Sequence, residues 1–192
     1  MALYHVKPTH ADVEIADTIS RHTGPGYEEA AEALTWGADE HVLCALAAGF
    51  WLYARGGTAR ALRNSDHLLL TTVAVTILPN ILKRVFNRQR PDRRTILGHL
   101  RGVPLSGKSL DAFPSGHAVH VGALASAATV LPPAKRNLVW LVGTGLVLTR
   151  VVLLAPWMSD VVAGLAIGAA TERLLRPCTG FGSKPQADDR QL

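Results

Sequence analysis

Cysteine is scarce in this chain: Cys44 and Cys178 are the only two in 192 residues, and their separation matches no metal-binding or redox spacing. Charge is also in short supply, at 18% of residues against the roughly 25% typical of soluble domains, while 48% are hydrophobic. Met1–Pro25 has no apolar core and carries His5, His10, Asp12, Glu14 and Asp17, so neither a secretory signal peptide nor export to a soluble compartment is expected. No glycine-rich loop of P-loop spacing occurs, and no His-Glu-x-x-His, which removes the commonest nucleotide and zinc-hydrolase signatures. The net charge of +5 suits nucleic acid, anionic lipid or a phosphate substrate. No nucleic-acid module accompanies the four tryptophans, so nucleic acid is not expected as a partner.

What the chain has is apolar and segmented. A polar first third, rich in acidic residues, precedes five apolar runs at about 41–54, 68–82, 118–131, 138–155 and 161–175. Several are shorter than the ~20 residues that cross hydrocarbon, and flanking residues lengthen them. In series they predict an all-α integral membrane bundle of about five transmembrane helices. Gly164 with Gly168, and Gly122 with Ser126, supply the small-xxx-small spacing that lets helices approach closely in lipid. Partial helical periodicity on both sides of Gly24-Pro25-Gly26 predicts two short amphipathic helices at the membrane interface. The expected organisation is an N-terminal amphipathic segment at 1–40, a membrane domain at 41–176 and a polar tail at 177–192. Arg55–Ser65, Pro132–Asn137 and the tail carry cations and read as connections on one face, which the positive-inside rule makes cytoplasmic.

Chemistry-bearing residues gather at the other ends of the same runs. Lys83, Arg90 and Pro91 follow the second run, Pro114-Ser115-Gly116-His117 opens the third, Thr149-Arg150 lies near the end of the fourth, and Asp160 opens the fifth. If the runs are membrane helices, three cations, a capped helix N-terminus, a histidine and a carboxylate meet at one face. Ser115 suits an N-cap, Gly116 lets backbone approach a ligand, and His117 suits proton donation to a leaving oxygen. His117 and His120 have a spacing that hints at a metal, but the surrounding Lys and Arg residues argue against one, so no metal is expected.

These blocks resemble the signature of the type 2 phosphatidic acid phosphatase superfamily, which also includes vanadium haloperoxidases. That signature runs Lys, six residues, Arg-Pro; then Pro-Ser-Gly-His; then Ser-Arg, five residues, His, three residues, Asp. Here Lys83, Arg90 and Pro91 match the first part, Pro114 to His117 the second, and Arg150 and Asp160 the third, with Thr149 in the serine position. The resemblance spans roughly residues 35–175. It implies that Lys83, Arg90, Arg150, the Ser115 side chain and the Gly116 amide hold phosphoryl oxygens, that His117 protonates the leaving group, and that Asp160 orients a nucleophilic histidine. The nucleophile position is occupied by Pro156.

Proline cannot accept a phosphoryl group. His120, one helical turn beyond His117, and His99, in the long loop 92–111, are candidate substitutes, and direct attack by water assisted by His117 or Asp160 is another route. No cofactor is expected, since vanadate in the relatives that bind it is coordinated by the histidine missing here. The resemblance implies a membrane phosphatase of a lipid phosphomonoester or diphosphate, of the phosphatidate or polyprenyl diphosphate class, in a bacterial-type inner membrane with the site on the outer face. Two alternatives stand beside it: a catalytically impaired relative that binds lipid phosphates without turnover, and a single-residue variant of an active enzyme. No oligomeric state follows.

Overall fold

The computed structural model describes residues 4–35, 39–91 and 110–183. In chain order it contains β1 (Tyr4–His5), α1 (His10–His22), α2 (Pro25–Thr35), α3 (Glu40–Ala54), α4 (Ala59–Val85), β2 (Phe86–Asn87), α5 (Gly116–Ala127), α6 (Pro133–Val152) and α7 (Met158–Thr179). Each of the five apolar runs becomes one helix of a bundle, α3 to α7. The bundle surrounds α5, of whose twelve residues eight are buried.

Small residues make that burial close. A Cβ at Gly168 would lie 1.9 Å from the Val119 carbonyl oxygen, and one at Gly122 would lie 2.2 Å from the Leu165 carbonyl oxygen. Gly164 faces the Ser115 carbonyl and Ala118 in the same way. Backbone therefore meets backbone along α5 and α7, with Val119 and Ala123 packing against Val75 of α4 on the other side. The outer faces are the reverse of a water-soluble bundle: Leu46, Leu52, Leu141, Leu148 and Val162 are all exposed. Among the described residues one helix, α4, is long and apolar enough to cross a membrane by length and composition.

Several boundaries differ from those expected. Arg60 and Arg63 belong to α4, not to a connection, because the Thr58 side chain caps the helix by accepting from the Ala61 amide. The expected turn at 132–137 lies mostly within α6, which Pro133 opens at a position where the missing N–H is harmless. Past the last apolar run, which ends at about 175, α7 continues to Thr179 and stops at Gly180, in the left-handed region at φ 65°. Two short strands, β1 and β2, pair in parallel and tie the N-terminus to the end of α4, an element not legible in the sequence. The N-terminal helices pack on the bundle: α1 sets Ala16 against Leu154 and Trp157, and α2 sets Ala31 against Leu153 and Ala155.

The bundle has two distinct ends, and at one of them α4 and α6 finish while α3, α5 and α7 begin. The other end holds a buried polar cluster. Fully buried Glu172 of α7 lies 3.0 Å from His67 Nε2 and accepts from Ser126 Oγ at 2.5 Å and Arg176 Nε at 2.7 Å. It joins α4, α5 and α7 through groups that would be costly to bury singly.

Candidate active site

The site is built at the first of these ends, from helix termini. Ser115 is the N-cap of α5, its carbonyl accepting from the Val119 amide at 3.0 Å, and its own amide donates to the Asp160 carbonyl at 3.3 Å. Unpaired amides at this start point outward with the positive end of the helix dipole. A Cβ at Gly116 would meet nothing within 4 Å, so the space beside that amide is open. Arg150 sits in the last turn of α6, where the dipole favours a cation, and is largely buried.

A cavity of about 170 Å³ brings the expected residues together: Lys83, Arg90, Ser115, Gly116, His117 and Arg150 all line it, and so does Pro156. His117 lies near Arg150, Asp39 and the Thr35 backbone at the end of α2. His120 also lines the pocket, with Nε2 3.4 Å from Thr76 Oγ1. Thr76 already donates its proton to the Thr72 carbonyl at 2.8 Å, so here it accepts from the imidazole. His99 lies outside the described residues, as does most of loop 92–111.

Asp160 is the one expected site residue that does not line this cavity. It is fully buried in the first turn of α7, where Oδ2 accepts from the Trp157 amide at 2.9 Å and Oδ1 is bound by Arg88 Nη1. Arg88 also donates to Ser159 Oγ at 2.8 Å and to Asp12 Oδ2 at 2.8 Å. Burial alone would push the Asp12 carboxyl upward, but bonds from the Ser159 hydroxyl and amide, with further bonds to Thr9, hold it at about 2. Arg88 thus clamps α1, the strand after α4 and the start of α7 into one unit just behind the pocket.

Three site features were not anticipated. Arg88 is two residues before Arg90 and matches nothing in the phosphatase signature; no sequence signal pairs it with acids 76 and 72 residues away. Asp111 accepts from Arg90 Nε at 2.8 Å and lies 3.8 Å from Lys83 Nζ, holding two like charges side by side. Asp39 and Glu40, at the start of α3, add two more carboxylates to the wall. Asp39 caps α3 by accepting from the His41 amide at 2.9 Å. Among the described residues no group of three or more potential His, Cys, Asp or Glu ligands is placed to hold a metal.

The profile of the PAP2 superfamily matches residues 67–181, and the chain belongs to that superfamily. It is 41% identical over 104 residues to the lipid A 1-phosphatase of Rhizobium johnstonii, a match covering 54% of this chain and 43% of the relative. A Rhizobium etli protein of the same description is 40% identical over 103 residues, with 53% and 44% covered. The matched segment thus spans less than half the length of these curated relatives. The fold is similar to that of the transmembrane PAP2-type phosphatidylglycerolphosphate phosphatase of Bacillus subtilis, with a TM-score of 0.62 at 21% identity, covering 92% of this chain and 87% of that one.

Proposed function

We propose that this chain is a membrane lipid phosphatase of the PAP2 type that takes the phosphomonoester or diphosphate of a lipid, of the phosphatidate or polyprenyl diphosphate class, and releases phosphate slowly. The observation that carries this is the convergence of Lys83, Arg90, Arg150, the open N-terminus of α5 and His117 on one pocket. Cations and amides fixed before reaction stabilise the charge that develops on the phosphoryl oxygens. The names of the relatives, lipid A 1-phosphatase and phosphatidylglycerolphosphate phosphatase, support a phosphorylated lipid. An apolar cavity of about 240 Å³, walled by residues such as Leu43, Phe50, Val75 and Leu124, meets the phosphate pocket at His120 and suits a chain attached to the phosphate.

The apolar outer faces support five helices crossing a bilayer. Arg55, Arg60, Lys135 and Arg136 at the far end support a cytoplasmic placement of that end, which puts the pocket on the outer side of an inner membrane. With proline at position 156 the step we assign is direct. Water attacks phosphorus in line, the ester P–O bond breaks, His117 delivers a proton to the departing lipid oxygen, and the proton released by water leaves with the phosphate or to solvent. Loss of a covalent catalyst costs on the order of 10³- to 10⁶-fold, and the cradle supplies the remaining acceleration.

A second reading, retention of lipid phosphates without turnover, is favoured by Asp160. Arg88 and the Trp157 amide take both its oxygens, behind the pocket wall. Phosphate release from a panel of lipid phosphates in detergent separates the two, measured for the natural chain, Pro156→His and Arg150→Ala. Hydrolysis predicts slow release that Arg150→Ala abolishes and Pro156→His raises at least ~100-fold. Arg150-dependent binding with no release by the natural chain would establish retention instead. Neither release by any form nor Arg150-dependent binding would overturn both.

A further inference from the structure

We propose that the cavity at the end of the bundle opposite the phosphate pocket is a binding site for an anionic phospholipid. It measures about 480 Å³ and is walled by α3, α4, α5, α6 and the turn that follows α7. Its polar wall comes from the first turns of α4, where Arg60, Arg63 and Asn64 stand at i, i+3 and i+4 and so project together. The rest of the wall is largely apolar, from Phe50, Leu68, Leu124 and Val139. Two arginines on an otherwise largely apolar wall match a phosphodiester headgroup with its acyl chain. A free inorganic anion would leave that apolar surface in water and gain nothing from it.

Two tryptophans on the helices that wall the cavity support a position for it at headgroup depth. Trp51 of α3 lies beneath the Arg55 guanidinium, 3.8 Å from its centre, and donates its indole N–H to Asp66 at 2.7 Å. Trp140 of α6 has Arg136 at 5.1 Å and donates to the Ala125 carbonyl at 3.1 Å. An apolar ring with a polar tip and a cation beside it is the arrangement that settles at a membrane–water boundary. Both rings stand on helices that wall the cavity. The chain has room within this cavity itself, whose floor residues Phe50, Leu68, Leu124 and Ala127 also line the neighbouring apolar cavity near His120.

The proposal rests on the membrane placement given above and not on the chemistry of the phosphate pocket. It is tested on the full chain in mild detergent, by native mass spectrometry of retained lipid and by thermal denaturation. The probes are phosphatidylglycerol, phosphatidylcholine of the same chains, and inorganic phosphate. Two cations at a membrane surface favour an anionic headgroup by roughly 30-fold, so phosphatidylglycerol should be retained about that much more tightly than phosphatidylcholine. The preference should vanish in Arg60→Gln/Arg63→Gln, and persist in both Arg60→Lys/Arg63→Lys and Arg150→Ala. Val139→Trp, which fills the apolar wall and leaves the arginines intact, should also lower retention. Equal retention of the two lipids, an undiminished preference in the glutamine variant, or unchanged retention in Val139→Trp overturns the site. Loss of the preference in Arg150→Ala overturns it too, by moving the lipid to the phosphate pocket. Inorganic phosphate giving the same Arg60- and Arg63-dependent stabilisation would overturn the assignment to a lipid.

Discussion

Gly168→Ala would place a methyl carbon 1.9 Å from the Val119 carbonyl oxygen and 2.8 Å from the Ala123 amide nitrogen. Carbon and oxygen without a covalent bond rest at roughly 3.3 Å or more, so α5 and α7 must separate locally by over ~1 Å. Both obstacles are backbone, and no rotamer change relieves them. The same displacement opens the contacts at Gly122 and Gly164, where a gap of ~1 Å forfeits up to about half of the dispersion well. Overpacking of a core costs about 1–3 kcal/mol when side chains can adjust, and this contact lies at or above the upper end. Against it stands a gain of about 1 kcal/mol from alanine in a helix interior, leaving a net loss of about 2–4 kcal/mol. Gly145→Ala in α6 is the matched control: its Cβ would meet nothing within 4 Å, so the same exchange should stabilise by about 0.5–1 kcal/mol. Thermal or denaturant unfolding in a single detergent reads both. Because α5 carries Ser115, Gly116 and His117 at its start, Gly168→Ala should also weaken phosphate binding. Equal stability of the two variants would refute a backbone-on-backbone contact between α5 and α7.

Gly116→Ala should leave unfolding unchanged or slightly improved while weakening binding of a lipid phosphate or vanadate several-fold, since its methyl would project into the open space beside the amide; unchanged affinity would remove that amide from the cradle. Asp12 titrates at about 2 in the folded chain against an ordinary 3.8, so its stabilisation of the α1–α7 junction is fully present above about pH 4 and is lost as pH falls through about 2. Asp12→Asn should flatten that acid limb and cost about 1–3 kcal/mol, because Arg88 retains Asp160; unfolding midpoints across the acid range check it. Glu172→Ala leaves buried His67 without its carboxylate partner, while partly buried Arg176 keeps its bonds to the Ser126 carbonyl and Thr129; it should cost about 3 kcal/mol by thermal unfolding, whereas Glu172→Gln, which keeps the shape and part of the bonding, should cost less.

The apolar runs fall on helices of the bundle and the three blocks supply residues that line one cavity, because both are written in residues close together in sequence. Lys83, Ser115, Gly116, His117 and Arg150 stand at helix ends, with Arg90 in the chain just after β2, and antiparallel helices bring such ends to one face. The small-residue spacing at Gly122, Gly164 and Gly168 also marked a real close contact, between α5 and α7. What could not be read was pairing at long range. Asp160 stands at its expected position after Arg150, yet its side chain is committed by Arg88 and by the cap it forms with Trp157. An aspartate three residues into a helix serves equally well as a cap or as an orienting group, and only the surrounding charges decide which. Asp111 shows the same ambiguity: nothing local distinguishes a loop acid from one that spaces two cations. The ends of α4, α6 and α7 were misplaced because caps and proline positions extend a helix beyond its apolar stretch.

The proposed phosphate cradle, with Pro156 where the family signature has its histidine, is tested most directly by trapping a phospho-enzyme. The natural chain and Pro156→His are mixed with a lipid phosphate carrying labelled phosphorus, quenched within one turnover and assayed for acid-labile label on the protein. Label should appear on Pro156→His alone, and Arg150→Ala in that background should remove it. Acid-labile label on the natural chain would contradict direct attack by water and would point to His120, the second imidazole in the pocket wall.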